Sequence, residues 1–160
     1  MQIVIAGSGD SEAALRARVS DAALGNVSFT GNLPREEYRS LLAGCDVGIA
    51  VTVPGVSIPS FPSKIGEYCG AGLPVIACLE ASTDAGTVIV EAGAGLSVAA
   101  GDPVALAAAL SSVETEKRNG KLINRGQRAR ELYERSFSVE GAVRALVGVI
   151  EPGAGYDVTD

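Results

Sequence analysis

The sequence contains no histidine, and this absence removes several kinds of reactive site. A Ser/His/Asp triad, a Cys/His nucleophilic pair and a Cys/His metal site all need an imidazole ring. These three kinds of site are therefore excluded, no residue is assigned as a metal ligand, and general-base chemistry would fall to carboxylates.

Basic residues are few and scattered along the chain. There are 13 Lys and Arg against 19 Asp and Glu, which gives a formal net charge of −6 and a pI near 4.7. Nucleic-acid surfaces and polybasic membrane anchors need clustered Lys and Arg, so neither partner is expected. Long apolar runs are also lacking, and the run over residues 3–6 is too short for a signal peptide.

The three cysteines are an odd number and lie far apart in the sequence. Cys45, Cys69 and Cys78 each fall within an apolar run. This pattern is typical of free thiols in the core of a protein from a reducing compartment.

The length and composition favour one compact domain. The chain has 160 residues, of which 47% are hydrophobic and 20% are charged, enough for one substantial core. We assign the domain to residues 1–150. Residues 151–160 carry Gly and Pro without periodicity and are predicted to be a flexible tail.

Short runs rich in Val and Ile alternate with longer helical patterns, which predicts βα units and a parallel sheet covered on both faces. The fold class is therefore a Rossmann-like, three-layer α/β domain. The predicted strands are residues 2–6, 27–30, 47–51, 75–77 and 95–99. The predicted helices are residues 11–21, 35–43, 63–71, 88–92, a helix starting at Pro103 with Asp102 as N-cap, 117–136 and 139–150.

The stretch GSGDSE follows the first strand and precedes a helix, as a dinucleotide-binding loop does. Glu12 stands where such a loop has its third glycine, and no acidic residue on a second strand end completes a ribose site. Gly7 and Gly9 are also explained by a tight turn that lets the backbone pass close to a neighbouring loop.

The stretch PSFPSKIGEYCGAGLPVIA, residues 59–77, places a helix after a proline-rich loop. The start of such a helix suits a phosphate group, and a carboxylate about one turn further, Glu67, suits a hydroxyl donor such as ribose. Lys64 and Glu67 could equally form an i, i+3 surface ion pair. The long loop before the helix and its place after a central strand favour the functional interpretation.

Four segments occur in the order and approximate spacing of a known family: VIAGSGD, NVSFTGNLPREEYRSLLAGCDVGIA, FPSKIGEYCGAGLPVIA and GLSVAAGDPVALAAAL. Together they resemble the C-terminal, nucleotide-sugar-binding domain of GT-B glycosyltransferases. The chain looks most like the retaining, family 4-like group that includes bacterial polysaccharide and lipid-glycan transferases. The resemblance covers nearly all of residues 3–150.

The resemblance implies a donor-binding site at the helix after the long loop. The family's E-x7-E motif has a second Glu that binds the ribose hydroxyls, and Glu67 matches it, whereas the first Glu position holds Pro59. A similar subgroup uses backbone amides at the helix start for the diphosphate. Here these would be the N–H groups of Ser63 and Lys64, with the Lys64 ammonium as an added charge.

The resemblance also implies donor contacts earlier in the chain. The turn FTGNLP matches a family segment whose backbone packs beside the nucleobase, so Gly31, Asn32 and Leu33 are candidate donor-binding residues, with Gly7 and Gly9. Gly31, Asn32 and Leu33 could also be only a turn. The nucleotide sugar would be a substrate, and no cofactor is expected.

Compared with the family, the chain starts one βα unit late and lacks the N-terminal acceptor domain. We therefore expect the donor-binding half of a retaining hexosyltransferase, inactive alone, whose acceptor domain is on the missing part of the chain or on another chain. The missing unit would supply the central strand, so an exposed strand edge could pair in a homodimer or by strand exchange. The expected location is cytoplasmic, at the inner membrane face if the acceptor domain binds there.

Two alternatives stay open at this point. The chain could be a non-catalytic module of the same fold that binds a nucleotide or a partner chain. It could also be part of a nucleotide-sugar epimerase, which shares the GT-B architecture, although the absence of histidine does not favour that reading. The sequence leaves the sugar, the nucleotide and the acceptor undetermined.

Overall fold

The computed structural model describes residues 1–55 and 60–150. The chain divides into two compact units, of which the first is Met1–Gly44 and the second starts at Cys45. The predicted tail, residues 151–160, lies outside the described residues. The assignment of residues 1–150 to one donor-binding domain stays a prediction.

The first unit is a small βαβα arrangement. Its elements are β1 (Ile3–Ala6), α1 (Glu12–Asp21), β2 (Val27–Gly31) and α2 (Arg35–Ala43). The two strands pair in parallel with Ile3 opposite Val27. Leu42 is the one buried residue among residues 1–44, all of which are described, and Val4 in β1 is 40% exposed. This unit therefore has little core of its own.

The second unit contains a three-stranded parallel sheet in the order β3-β4-β5. Its elements are β3 (Gly48–Val51), α3 (Ser63–Gly70), β4 (Val75–Leu79), α4 (Ala85–Glu91), β5 (Gly95–Ala99), α5 (Pro103–Arg118), α6 (Leu122–Leu132), a π-helical segment (Tyr133–Phe137) and α7 (Val139–Ile150). All five residues of the central strand, β4, are buried. A continuous apolar strand of this kind is typical of a parallel sheet covered on both faces.

Alternate residues of β4 pack into two separate cores. Val75, Ala77 and Leu79 face a core formed with α3, α4 and α6, whereas Ile76 and Cys78 face a core formed with α5. The second unit is therefore a helix–sheet–helix sandwich of three layers. The predicted Rossmann-like α/β fold is confirmed, with the strands arranged as two parallel sheets within the described residues.

The predicted start of α5 is confirmed. Pro103 is its first residue, and the Asp102 carboxylate accepts a hydrogen bond of 2.9 Å from the Ala105 N–H. This cap satisfies one of the N–H groups that have no acceptor within the helix.

The prediction of one helix over residues 117–136 is wrong. The chain turns at Gly120, which has a φ of +69°, a conformation that glycine adopts without steric cost. The turn separates α5 from α6, and the π-helical segment follows α6 directly. The predicted helix at residues 88–92 also begins earlier in the structure, at Ala85.

The last helix, α7, has the predicted bounds and carries apolar residues that face water. Val139, Val143, Leu146 and Ile150 are exposed, and their spacing places them on one face of the helix. We call these four residues the α7 stripe. Gly141 lies on nearly the opposite face and is buried against the backbone carbonyl of Arg135. The stripe therefore points away from the surface on which the helix rests.

Candidate functional site

The three strands of the second unit end at one edge of their sheet. β3, β4 and β5 are parallel and finish at Val51, Leu79 and Ala99. The chain then runs to the N-termini of α3, α4 and α5, so these helix starts lie along the same edge. Open α/β sheets bind ligands outside this carboxyl edge.

Helix α3 is held by its buried face. Ile65 and Cys69 are fully buried in the core shared with α4 and α6, and the Phe61 ring lies 5.2 Å from the ring of Phe137. Pro62 precedes the helix in an extended conformation, and the first helical residue is Ser63. The start of the helix is therefore fixed by the packing of its buried face, whereas the opposite face is exposed to water.

Ser63, Lys64 and Glu67 all lie on this exposed face of α3, within about the first turn and a half. The Lys64 ammonium donates a hydrogen bond of 3.0 Å to Glu67 Oε2. Both side chains are about half exposed, at 53% and 42%. An exposed i, i+3 pair contributes little to stability, so a ligand hydroxyl or phosphate can compete for either partner at small cost.

Both interpretations of this pair stay open. The surface ion pair is present, and its exposure also keeps the Glu67 carboxylate accessible. Pro59, at the first Glu position of the E-x7-E motif, lies outside the described residues. The roles of Ser63, Lys64 and Glu67 in donor binding stay predictions.

The other candidates belong to the first unit and lie at the carboxyl ends of its strands. Gly7 and Gly9 follow β1, Gly31 is the last residue of β2, and Asn32 and Leu33 follow it. The Gly7 N–H donates a hydrogen bond of 2.8 Å to the Gly31 carbonyl, and Gly7 has a φ of +127°, which side-chain-bearing residues rarely adopt. Two glycine-containing turns therefore meet at the edge of this small sheet.

Sequence reasoning missed a group of contacts at the edge of the second sheet. Glu80 follows β4 directly, and its N–H donates a hydrogen bond of 3.2 Å to Thr52 Oγ1. Its carboxylate accepts a hydrogen bond of 2.8 Å from the Gly55 N–H. A charged residue directly after a fully apolar strand was the available signal, but its partners lie 28 and 25 positions earlier.

The cysteines do not belong to this site as reactive groups. All three are free, as predicted, and two of them, Cys69 and Cys78, are buried. Burial raises the pKa of Cys69 to about 11 and also raises the pKa values of Cys45 and Cys78. Thiols with raised pKa values are protonated at neutral pH and are poor nucleophiles.

A groove with a volume of about 600 Å³ lies at the other edge of the second sheet. It is bordered by residues that precede β3 and β4, among them Asp46 and Leu73, and by Lys117, Ile123 and Arg130. Lys117 donates a hydrogen bond of 2.7 Å to Asp46 there. This groove is at the amino ends of the strands and is separate from the candidate site.

Comparison with known proteins places the sequence among transferases. The family model described as "Glycosyl transferases group 1" matches residues 1–116. A curated relative from Pseudomonas aeruginosa, the probable glycosyltransferase WbjE, is 32% identical over 85 residues, which are 53% of this chain and 21% of that protein.

Several solved structures share the fold. WaaG, a glycosyltransferase involved in lipopolysaccharide biosynthesis, has a TM-score of 0.67 at 17% identity. A sucrose-phosphate synthase from Thermosynechococcus elongatus has a TM-score of 0.71 at 22% identity. The Anabaena protein HepE, solved in complex with UDP-glucose, has a TM-score of 0.71 at 18% identity.

This chain corresponds to a minor part of each solved relative. The matches cover 95%, 93% and 93% of this chain but 38%, 37% and 40% of WaaG, the synthase and HepE. None of the helices in the described residues is long and apolar enough to cross a membrane.

Proposed function

Because this chain belongs to the glycosyl transferases of group 1, we propose that it is the donor-binding half of a retaining glycosyltransferase of GT-B fold. The enzyme would transfer a hexosyl group from a nucleoside-diphosphate sugar to a glycan or lipid acceptor in polysaccharide biosynthesis. The observation that carries the proposal is the start of α3, where Ser63, Lys64 and Glu67 lie together and exposed at the carboxyl edge of the sheet.

Each of these three residues has a proposed role. The N–H groups of Ser63 and Lys64, at the positive end of the α3 dipole, would bind the diphosphate. The Lys64 ammonium would add a charge-assisted contact to a phosphate oxygen. The Glu67 carboxylate would leave its ion pair with Lys64 and accept hydrogen bonds from the ribose hydroxyls. Binding would thus exchange one exposed ion pair for two ligand contacts.

The first unit supplies further candidates for contact with the donor. Gly31, Asn32 and Leu33 would pack by their backbone beside the nucleobase, and the turn at Gly7 and Gly9 would approach the ligand closely. The complex of HepE with UDP-glucose supports a nucleotide sugar as the ligand class. The donor would be a substrate of the reaction, and no separate cofactor is proposed.

The acceptor would be held by a domain that this chain does not contain. The chain spans 37–40% of the length of the solved relatives, which leaves room for such a domain in each of them. We place it on the same polypeptide or on a partner chain. The free cysteines support a reducing, cytoplasmic location, and contact with the inner membrane face would come from the acceptor domain.

Isothermal titration of the chain with UDP, ADP, GDP and TDP tests this proposal. We expect one of them to bind and Glu67→Ala to weaken its binding about tenfold, because the ribose loses a charged hydrogen-bond partner. Glu114→Ala is the matched control, since Glu114 forms a similar exposed helix pair with Arg118 on α5.

The outcomes separate the donor site from the alternatives. Binding that is weakened by Glu67→Ala and not by Glu114→Ala supports the donor site. If neither substitution changes binding, the nucleotide binds elsewhere on the chain. That result favours a nucleotide-binding module of different design. An absence of binding to every nucleoside diphosphate contradicts the proposal.

A further inference from the structure

We infer that Glu80 is a positioning residue for the donor site. Its side chain and backbone hold the beginning of the β3–α3 connection at the carboxyl edge of the sheet. The inference rests on the proposed function, because fixing this connection matters for the donor site at the start of α3, to which the connection leads. The resemblance assigns no role to Glu80. Its role follows from hydrogen bonds that link it to Thr52 and Gly55.

The first step is that β3 and β4 stay connected beyond their ends. The Thr52 N–H donates a hydrogen bond of 3.0 Å to the Cys78 carbonyl, and the Glu80 N–H donates one of 3.2 Å to Thr52 Oγ1. The Thr52 side chain thereby replaces a backbone carbonyl as the next acceptor in the ladder. Thr52 and Glu80 are therefore fixed relative to each other by the sheet itself.

The second step is that the Glu80 carboxylate reaches forward along the connection. Glu80 Oε1 accepts a hydrogen bond of 2.8 Å from the Gly55 N–H, three residues after Thr52. The bond is charge-assisted and therefore stronger than a bond between neutral groups. Residues 52–55 are thus attached to the end of β4 at both of their ends.

A third contact supports this segment from the next loop. Pro54 lies against Gly101, in the turn between β5 and α5, so closely that a Cβ at Gly101 would come within 2.8 Å of Pro54 Cγ. The segment therefore contacts both the residue that follows β4 and the loop that follows β5. Its position is set before the chain continues towards Ser63 at the start of α3.

Because Glu80 is charged, the effect of its removal on donor binding distinguishes a positioning role from that of a bystander. A carboxylate at an edge that binds a diphosphate repels its ligand, so as a bystander it would weaken binding. Removing a bystander charge should then improve affinity. If Glu80 instead holds the connection in place, its removal should reduce affinity, because residues 52–55, which lead towards α3, would have to become ordered when the donor binds.

Titration of the nucleoside diphosphate that the wild-type chain binds, with Glu80→Ala and Glu80→Gln, separates these cases. We expect Glu80→Ala to weaken binding about tenfold, the effect of losing one charge-assisted hydrogen bond. Glu80→Gln keeps an oxygen acceptor for the Gly55 N–H and should bind within about threefold of wild type. Glu91→Ala, at the far end of α4, is the control for loss of an exposed Glu.

Two further measurements exclude a general loss of stability as the cause. Thermal unfolding should stay cooperative in all three variants, and the midpoint of Glu80→Ala should fall only by the small amount that one hydrogen bond at an exposed edge contributes. Amide hydrogen exchange at Gly55 should be faster in Glu80→Ala than in the wild-type chain and Glu80→Gln.

Tighter or unchanged binding by Glu80→Ala, with wild-type binding intact, overturns the positioning role and leaves the donor site standing. An equal loss of affinity in Glu80→Ala and Glu80→Gln also overturns the positioning role. The charge of Glu80, and not its hydrogen bond to Gly55, would then determine binding. A wild-type chain that binds no nucleoside diphosphate removes both this inference and the proposed function.

Discussion

At the scale of single residues, Gly95 at the start of β5 leaves no room for a side chain. A Cβ at this position would meet the backbone carbonyl of Val75 and the side chain of Ile89. The carbonyl belongs to β4 and cannot move without disturbing the ladder between the two strands. We expect Gly95→Ala to lower the free energy of unfolding by about 2–3 kcal/mol, the cost of overpacking a core, as measured by urea denaturation.

Gly25→Ala serves as the control for this substitution, because a Cβ there would have no atom within 4 Å. Its effect should stay within about 0.5 kcal/mol, as for most surface changes. Equal effects at the two positions would show that backbone freedom, and not the close approach of β5 to β4, is what requires glycine at residue 95.

At the scale of elements, an ion pair ties α5 to α6 across the turn at Gly120. Arg125 donates to both oxygens of Glu116, at 2.6 and 2.8 Å, and donates a third hydrogen bond of 3.1 Å to the carbonyl of Gly95 in β5. The side chains are 25% and 20% exposed for Arg125 and Glu116. The hydrogen bond from Arg125 lowers the pKa of Glu116 from its ordinary value of 4.5.

The lowered pKa of Glu116 predicts a dependence of stability on pH. The pair contributes fully above pH 4.5, where the carboxylate is ionised even in the unfolded chain, and the contribution is lost as the pH falls through the lower folded pKa. We expect Glu116→Gln to be about 1 kcal/mol less stable than wild type at pH 7, the usual contribution of such a bond.

Urea denaturation of both proteins from pH 7 down to pH 3 checks this expectation, because the difference should shrink below pH 4.5. Glu114→Gln, which breaks the exposed pair with Arg118, is the control and should give a smaller difference at neutral pH. A difference for Glu116→Gln that does not change with pH would mean that ionisation of Glu116 is not what stabilises the turn.

The elements also show which parts of the fold local sequence can predict. The cap at Asp102 depends on neighbours within three residues and was predicted correctly. The break at Gly120 was missed, because helical residues continue on both sides of it. The contacts of Arg125 with Glu116 and Gly95 depend on where the chain turns, and the predicted boundary between the two helices lay before residue 117 instead of at Gly120.

At the scale of the whole molecule, we expect this chain alone to transfer no sugar. Transfer needs an acceptor held at reacting distance from the anomeric carbon of the donor, and that placement supplies much of the rate. The chain spans 37–40% of the length of the solved relatives, and the 85 residues that match WbjE are 21% of that protein. An assay of the purified chain with nucleotide sugars and a broad acceptor mixture should show no turnover above background.

The mass of the chain in solution should be measured beside this assay. Within the described residues β1 pairs only with β2 and β3 only with β4, so each strand presents an edge that a second copy can pair with. We therefore propose self-association through a strand edge.

Robust transfer by a monomer would contradict the prediction of inactivity and require a catalytic site built from carboxylates within this chain.

The family and the layered fold could be predicted because motifs and strand periodicity are properties of neighbouring residues. The candidate site could be predicted only in part for the same reason. Ser63, Lys64 and Glu67 lie on one helix and became candidates through the loop before it and the family resemblance, and their roles stay predictions. Glu80 meets Thr52 and Gly55 only after two strands have paired. The small core of the first unit was equally unpredictable, since β1 has the apolar sequence of a covered strand.

The outward direction of the α7 stripe has a calorimetric consequence. Val139, Val143, Leu146 and Ile150 are already hydrated in the folded chain, so unfolding exposes little new apolar surface from this helix. Since newly exposed apolar area is the source of the heat-capacity increase on unfolding, α7 contributes less than its share of the usual ~12–15 cal/mol/K per residue. A partner that covers the stripe would bind with a negative change in heat capacity. Unfolding of the complex would then expose the stripe anew, and the heat-capacity increase on unfolding would include the contribution that α7 lacks in the free chain.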